Sequence, residues 1–297
     1  MDSSSQEGGE KKKVYEVTTF PVPFALGEKK EKITITTKTP SIPSKEQIIN
    51  QAFHFHSQGN IKEAAKYYQE YINKGFKDHI VFSNYGTILQ DIGKLKEAEL
   101  SYRKAIEIKP DYADAYSNLG VLLNDLGKLQ DAEILYRKAI EINPDYAEAH
   151  SNLGNIFKDL GNLKEAELSY RKAIEIKPNF ADAHYNLGII LKDLGNLKEA
   201  ELSYRKAIEI NPDYAEAHSN MGIILRDLGN LQEAELSYRK AIEIKPDYTE
   251  AYYNLFLLYE QINNLDKLKE SLNEFNKIDS IKNELFLFNA RLSFRNK

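Results

Sequence analysis

Residues 113–146 read ADAYSNLGVLLNDLGKLQDAEILYRKAIEINPDY, and this block of 34 residues returns along most of the chain. Similar blocks follow it without a gap up to residue 248. Residues 158–176 are identical to residues 192–210, which indicates recent duplication. A repeat of this length is typical of helical arrays, in which each unit buries its apolar face by stacking on its neighbours.

The pattern inside one block predicts two helices joined by a turn. With Ala113 as position 1, apolar and small residues recur three or four places apart up to Leu123, so they share one helix face. Gly127 interrupts this pattern, and a second helix is expected over about residues 130–142. Pro144 cannot continue that helix, because it lacks the backbone N–H group that the next turn needs. Each block is therefore an αα-hairpin.

The conserved spacing within a block is aromatic-x2-Leu-Gly-x2-Leu, then Ala-x3-Tyr, then Pro, and it resembles the tetratricopeptide repeat (TPR) family. In residues 113–146 the motif consists of Tyr116, Leu119, Gly120, Leu123, Ala132, Tyr136 and Pro144. The Asn-Leu-Gly and Pro-Asp-Tyr segments are most similar to the TPR arrays of O-linked N-acetylglucosamine transferases, although no catalytic domain of that kind is visible. The resemblance implies an all-α fold, a right-handed α-solenoid (superhelix) of helix-turn-helix units, and the small residues predict close helix contacts beside the tyrosine.

The repeats divide the chain into three predicted parts. Residues 1–44 form an N-terminal arm, which we expect to be partly disordered with short extended segments. Residues 45–282 form seven TPR units of 34 residues, of which the first and last are degenerate. Residues 283–297 form a helix that caps the exposed end of the array. Ser44 and Gln47 have the spacing of a capping box at the start of the first helix.

Composition argues against several classes of function. The chain has 45 acidic and 40 basic residues, so it lacks the basic field that nucleic-acid binding requires. It has no cysteine, which excludes disulfides and thiolate chemistry. No run approaches the roughly 20 apolar residues of a membrane span, and the first residues do not resemble a signal peptide. We therefore predict a cytoplasmic protein that binds neither nucleic acid nor membrane.

No motif indicates an enzyme, a cofactor or a metal site. The sequence lacks the common catalytic signatures, and nothing positions a hydroxyl nucleophile beside a base. His150, His184 and His218 occupy the aromatic core position of their units, and equivalent helices lie about 10 Å apart, too far for one zinc ion. His54 and His56 point about 200° apart on one helix. We predict packing roles for these histidines.

The side of the first helix opposite its core face carries a row of asparagines at position 6. The row contains Asn50, Asn84, Asn118, Asn152, Asn186, Asn220 and Asn254. An asparagine offers one acceptor and two donor hydrogens, so a row of them can bind the backbone of an extended peptide. Resemblance to the transferase TPR arrays implies this use in a concave groove, and we expect the side chains of Asn152, Asn186 and Asn220 to face solvent. The alternative is that these asparagines only hold neighbouring helices together.

A row of aspartates at position 13 runs beside the asparagines. It contains Asp91, Asp125, Asp159, Asp193 and Asp227, and we expect it to select the charge of a partner. Position 9 between the two rows is mostly apolar, as is usual in a peptide-binding groove. From residue 113 onward, position 2 carries Asp or Glu where the carboxylate clamp of other TPR modules has basic residues. The partner is therefore not expected to be a carboxylate-clamp ligand.

These observations predict a non-catalytic scaffold that binds a protein or an extended peptide through the asparagine row. An alternative from another class is the substrate-recognition subunit of a glycosyltransferase, or of another modifying enzyme, whose catalytic domain is a separate chain. A pull-down distinguishes the two, because enrichment of a single transferase would favour the alternative. The sequence does not identify the partner.

Overall fold

The computed structural model describes residues 43–275, which form α-helices and no β-strand. The helices pair into seven units, which we number 1 to 7 along the chain. The first helices of the units are α1 Lys45–Ser57, α3 His79–Asp91, α5 Ala113–Asp125, α7 Ala147–Asp159, α9 Ala181–Asp193, α11 Ala215–Asp227 and α13 Thr249–Gln261. The second helices are α2 Ile61–Asn73, α4 Leu95–Ile108, α6 Leu129–Ile142, α8 Leu163–Ile176, α10 Leu197–Ile210, α12 Leu231–Ile244 and α14 Leu265–Phe275.

Local sequence explains where these helices begin and end. The predicted capping box is confirmed, since the Gln47 backbone N–H donates to Ser44 Oγ at 3.2 Å and the Ser44 N–H donates to Gln47 Oε1 at 2.8 Å. The turn inside each unit needs a left-handed backbone at position 15, where Gly127 has φ 71°. In unit 7 this position is Asn263, with φ 53°, and asparagine tolerates this conformation better than most residues.

The helices stack in chain order into a right-handed α-solenoid, so the predicted fold class is confirmed. Each helix packs on the next one, both within a unit and from the second helix of one unit to the first helix of the following unit. First helices of neighbouring units also contact each other, as α3 does with α5 and α7 does with α9. The first helices thus form one layer of the array, which we call the inner face, and the second helices form the outer face.

A tyrosine at position 24 fills the space between the two helices of each unit from 1 to 6. In unit 3 this residue is Tyr136, and a Cβ atom added to Gly120 would lie 2.8 Å from its Cε1 atom. Only glycine therefore allows the ring this close to the first helix, as the spacing of small residues predicted. The apolar core runs continuously from Leu89 to Phe275, because each unit contributes side chains to both of its neighbours.

Two predicted elements lie outside the described residues. The N-terminal arm falls there except for Pro43 and Ser44, and the capping helix at residues 283–297 falls there completely. Both stay predictions. Of the helices between residues 43 and 275, none combines the length and the apolar character needed to cross a membrane.

Candidate functional site

The inner face is built from positions 2, 6, 9 and 13 of the first helices, opposite the residues that form the core. Because α-helical geometry places these four positions on one side, their side chains from successive units form parallel rows. The asparagines at position 6 lie in the middle of this surface. Asn50 is exposed, the next five asparagines are half-buried, and Asn254 in unit 7 is only 9% exposed.

Four asparagines donate a hydrogen bond to the preceding unit. Asn84 Nδ2 donates to Tyr68 Oη at 3.3 Å, Asn118 Nδ2 to Ser83 Oγ at 3.3 Å, Asn186 Nδ2 to Asn155 Oδ1 at 3.3 Å, and Asn220 Nδ2 to Tyr185 Oη at 3.1 Å. The expectation that the side chains face only solvent is therefore wrong for Asn186 and Asn220. In three of the four bonds the partner lies on the preceding first helix, whereas Tyr68 lies on the second helix α2.

The inter-unit bonds use only part of the hydrogen-bonding capacity of each asparagine. An amide side chain has two donor hydrogens and an acceptor oxygen, and these contacts use one donor. Within residues 43–275, the Oδ1 atoms of Asn118 and Asn220 accept no hydrogen bond, and the side chain of Asn152 makes no hydrogen bond. The preceding unit thus holds the side chain in one orientation while its oxygen stays available to a ligand.

The residue at position 9 changes in polarity from unit to unit along the inner face. In units 2 and 4 this residue accepts a hydrogen bond from the tyrosine at position 24. Tyr102 Oη donates to Thr87 Oγ1 at 3.3 Å, and Tyr170 Oη donates to Asn155 Oδ1 at 2.7 Å. In units 5 and 6 the corresponding residues are Ile189 and Ile223, which offer no acceptor. The hydroxyls at position 24 of those two units, Tyr204 and Tyr238, are buried without a hydrogen-bond partner in the described part of the chain.

Reasoning from the sequence missed both the inter-unit asparagine bonds and the unpartnered hydroxyls. The partners of Asn118 and Asn220 lie 35 residues away, and the helix period does not reveal how closely neighbouring first helices approach. A signal for the hydroxyls was present, since position 9 is Thr or Asn in two units and Ile in two others. This change of residue at position 9 can be interpreted only when the position of the tyrosine ring is known.

The aspartates at position 13 are all exposed and run along one edge of the inner face. In units 4 to 6 a basic residue at position 12 lies nearby: Lys158 Nζ is 4.0 Å from Asp159, Lys192 Nζ is 3.7 Å from Asp193, and Arg226 Nη2 is 3.1 Å from Asp227. Units 2 and 3 have Gln90 and Asn124 instead, and within residues 43–275 no Lys or Arg pairs with Asp91 or Asp125. The negative charge is therefore least compensated at units 2 and 3.

The acidic residues at position 2 form the opposite edge, and several of them are held in place. Lys177 Nζ lies 2.8 Å from Glu148, and Tyr214 Oη donates to Asp182 Oδ1 at 3.0 Å. Burial, reinforced by the charge of Asp114, raises the pKa of Tyr146 to about 12. This tyrosine therefore stays protonated at neutral pH and can donate a hydrogen bond. The basic residues nearby, such as Lys177, are paired with acidic side chains of this face.

The histidines of the central units join the end of one unit to the start of the next. The Nε2 atoms of His150, His184 and His218 each lie 3.0 Å from the carbonyl oxygen of a proline six residues earlier. Since a carbonyl only accepts, the ring nitrogen must carry the hydrogen. His184 is buried and the other two are half-buried, so a structural role fits all three. Within residues 43–275, no three His, Asp or Glu side chains converge on a possible metal position.

Comparison with protein families identifies the same repeat unit. A model described as TPR repeat matches residues 86–127, 122–161 and 154–195, and a model described as Tetratricopeptide repeat matches residues 181–214 and 215–248. Together these matches cover residues 86–248, which is more than half of the chain. A comparison with curated protein sequences gave no significant match.

Solved structures with similar folds include TPR proteins. YrrB, described as a TPR protein with an unusual peptide-binding site, is 26% identical with a TM-score of 0.53, over 64% of this chain and 98% of YrrB. PilF from Pseudomonas aeruginosa has a TM-score of 0.62 at 19% identity, over 72% of this chain and 97% of PilF. A tetratricopeptide repeat protein from Parabacteroides merdae has a TM-score of 0.59 at 20% identity, over 79% of this chain and 93% of that protein. The last two similarities concern the fold alone.

Proposed function

We propose that this chain, a member of the tetratricopeptide-repeat family, is a non-catalytic scaffold that binds an extended peptide segment of a partner protein on its inner face. The observation that carries the proposal is the asparagine row at a fixed interval of one unit. Contacts with the preceding unit hold four of these side chains while leaving hydrogen-bonding groups available. An extended peptide presents N–H and C=O groups at regular intervals, which such a row can bind without reading side chains.

Charge and polarity on the two sides of the row define the ligand further. In units 3 to 6 acidic residues border the asparagine on both sides, and Asp91 and Asp125 lack a basic partner within the described residues. A segment that is neutral or basic therefore fits better than an acidic one, because like charges would repel it. The similarity to YrrB, a TPR protein described with a peptide-binding site, supports binding of a peptide. The cytoplasmic location and the alternative role beside a separate modifying enzyme stay predictions.

The test uses two asparagines that differ in their contacts with the preceding unit. The side chain of Asn152 makes no hydrogen bond within residues 43–275, whereas the side chain of Asn220 bonds Tyr185. We expect Asn152→Ala to weaken binding about 2- to 10-fold, since one lost hydrogen bond costs about 0.5–1.5 kcal/mol. Its melting temperature should stay close to that of the wild type. Asn220→Ala should weaken binding similarly and also lower the melting temperature.

Binding is measured by calorimetry with a peptide selected on the immobilised wild-type chain from a random library. The matched control is the triple variant Asn162→Ala, Asn196→Ala and Asn230→Ala, which removes asparagines of the same spacing from the turns inside units 4 to 6. Their side chains make no capping hydrogen bond, and units 2 and 3 have lysine there. Unchanged affinity in Asn152→Ala with a lower melting temperature in Asn220→Ala would leave the asparagines as contacts between units. Failure to select any peptide would also count against the proposal.

A further inference from the structure

Unit 4 shows how the edge of the inner face at position 2 holds an ammonium group. The Nζ atom of Lys177, at position 31, lies over the ring of Phe180, at position 34, and 4.8 Å from its centre. The same atom lies 2.8 Å from the carboxylate of Glu148, at position 2. The face of an aromatic ring and a carboxylate both attract a cation, so this combination is suited to an amine.

The same arrangement recurs in unit 6. The Nζ atom of Lys245 lies 5.0 Å from the centre of the Tyr248 ring and 3.6 Å from Glu216. In unit 2, whose position 2 is not acidic, Lys109 also lies over the ring of Tyr112, at 5.6 Å. A lysine at position 31 thus lies over the ring at position 34 in units 2, 4 and 6.

Unit 3 has the ring and the carboxylate but lacks the lysine. Tyr146 and Asp114 occupy positions 34 and 2, whereas position 31 is Asn143. The Asn143 Oδ1 atom accepts a hydrogen bond from the Asp145 N–H at 3.3 Å, so this side chain turns back onto its own loop. Within residues 43–275, no Lys or Arg pairs with Asp114 or lies over the ring of Tyr146. Asp114 is exposed and Tyr146 is half-buried, so a ligand can reach both.

Unit 5 repeats the arrangement of unit 3. The Oδ1 atom of Asn211, at position 31, accepts a hydrogen bond from the Asp213 N–H at 3.3 Å. Tyr214 Oη donates to Asp182 Oδ1 at 3.0 Å, and a second ring, Tyr185, lies 4.8 Å from that of Tyr214. No Lys or Arg of the described part of the chain pairs with Asp182. Aspartate is also one methylene shorter than the glutamate of units 4 and 6, so both differences leave room beside the ring.

We propose that units 3 and 5 each bind a lysine side chain of the partner, in the place that the chain's own lysine occupies in units 4 and 6. The inference rests on the proposed function, because it assigns two specific contacts to the peptide on the inner face. Exposed carboxylates alone attract any cation weakly. Here the equivalent ring and carboxylate already hold an ammonium group in two other units, which identifies the chemistry of the ligand.

The two sites lie two units apart, and this interval defines the spacing of the two lysines. Equivalent helices of neighbouring units lie roughly 10 Å apart, so the sites are separated by roughly 20 Å. An extended peptide advances about 3.3 Å per residue and covers this distance in about six residues. We therefore expect a partner segment with two lysines about six residues apart.

The probe is a fluorescent peptide of glycine and serine that carries two lysines about six residues apart. Its affinity is measured by fluorescence anisotropy beside that of a control peptide with Nε-acetyllysine at both positions, which removes the positive charges. We expect the wild-type chain to bind the lysine peptide at least about 5-fold more tightly, because only the charged amine gains the ring and carboxylate contacts.

The variant Asn143→Lys/Asn211→Lys fills both sites with lysines of the chain itself. Units 2, 4 and 6 have lysine at this position, so the variant should fold, and circular dichroism melting checks this. We expect it to bind the lysine peptide at least about 5-fold more weakly than the wild type. The matched control, Asn162→Lys/Asn196→Lys, adds the same charge in the turns of units 4 and 5, where units 2 and 3 have lysine. It should keep its affinity within about 2-fold, because salt screens distant charges.

Equal losses in the two lysine variants would overturn the proposal, because the peptide would then respond only to net charge. Equal affinity of the wild type for the lysine and acetyllysine peptides would overturn it as well. Neither result affects binding by the asparagine row, which Asn152→Ala tests with the selected peptide. Conversely, a loss in Asn143→Lys/Asn211→Lys alone, together with unchanged binding of the selected peptide by Asn152→Ala, would support the lysine sites and reject the asparagine row.

Discussion

Units 4 and 5 have second helices of identical sequence but different surroundings for the same tyrosine. In unit 4, Tyr170 Oη donates to Asn155, and Asn186 of unit 5 donates to the same oxygen. In unit 5, Tyr204 Oη is buried without a partner in the described part of the chain, because position 9 is Ile189. The first helix alone therefore determines whether this hydroxyl is bonded.

A second difference between the two units lies at position 5. Ser151 of unit 4 is replaced in unit 5 by Tyr185, whose ring lies 5.9 Å from that of Tyr204 and 4.8 Å from that of Tyr214. Asn220 of unit 6 bonds the Tyr185 hydroxyl, whereas Asn186 bonds Asn155. The core differs as well, because buried Phe157 of unit 4 is replaced by buried Leu191 in unit 5. Divergence between the two first helices therefore affects the inner face at positions 5 and 9 and the core at position 11.

The largest effect we predict is the loss of stability when the core glycine is replaced by alanine, and it should be equal in units 4 and 5. A Cβ atom at Gly154 would lie 2.7 Å from Tyr170, and one at Gly188 would lie 2.7 Å from Tyr204. Gly154→Ala and Gly188→Ala should each lower the free energy of unfolding, since overpacking costs about 1–3 kcal/mol and alanine recovers only about 1 kcal/mol of helix propensity. Urea denaturation of both variants checks this. Clearly unequal losses would show that the space beside the tyrosine differs between the two units.

A smaller, asymmetric effect is expected when the hydroxyls are removed. Tyr170→Phe should cost about 0.5–1.5 kcal/mol, because it removes the bond to Asn155. Tyr204→Phe should cost nothing or stabilise the chain slightly, since it removes a buried hydroxyl that lacks a partner within the described residues. Burial raises the pKa of both hydroxyls, so each is a protonated donor at neutral pH. Denaturant titration of the two variants compares their stabilities.

A double-mutant cycle identifies the cause of this asymmetry. Ile189→Asn gives unit 5 the residue that unit 4 has at position 9, and it provides an acceptor for Tyr204. In that background Tyr204→Phe should become about as costly as Tyr170→Phe. If Tyr204→Phe is already costly in the wild type, its hydroxyl has a partner such as a water molecule, and the contrast between the two units disappears.

The helix pairs, their turns and the tyrosine-glycine packing could all be predicted from the sequence. Each depends on residues within one unit, and the spacing of Gly120, Gly127 and Tyr136 expresses a local physical requirement. The length of the unit also predicts that the units stack, because a hairpin this short buries its apolar face only against its neighbours. The predicted arm and capping helix lie outside the described residues, so neither is tested.

The arrangement of the inner face could be predicted only in part. The helix period correctly places Asn186 and Asn220 on the inner face, but their hydrogen-bond partners belong to the preceding unit. Whether such a side chain is exposed depends on the separation of neighbouring first helices, which no single unit encodes. Binding by the asparagine and aspartate rows therefore stays a proposal, and units 4 and 5 show that the partners change from copy to copy.

The smallest predicted effect is a pH dependence of stability that arises from His184. This histidine is buried, whereas His150 at the same position of unit 4 is half-buried. Burial is the largest influence on the pKa of His184 and lowers it, with Lys206 acting in the same direction and Pro178 and Glu209 opposing. The neutral ring is therefore favoured in the folded chain. Its stabilising contribution is complete above the unfolded pKa, near 6.5, and is lost as the pH falls through the lower folded pKa.

Melting temperatures of the wild type and of His184→Tyr, measured between about pH 8 and pH 5, test this contribution. Tyrosine is the residue of unit 3 at this position, so the variant should fold. We expect the wild type to lose more stability than the variant as the pH falls, because its unfolded chain takes up a proton that the folded chain resists. His150→Tyr is the matched comparison in unit 4. Parallel curves for the wild type and His184→Tyr would mean that burial in unit 5 does not affect the titration of this ring.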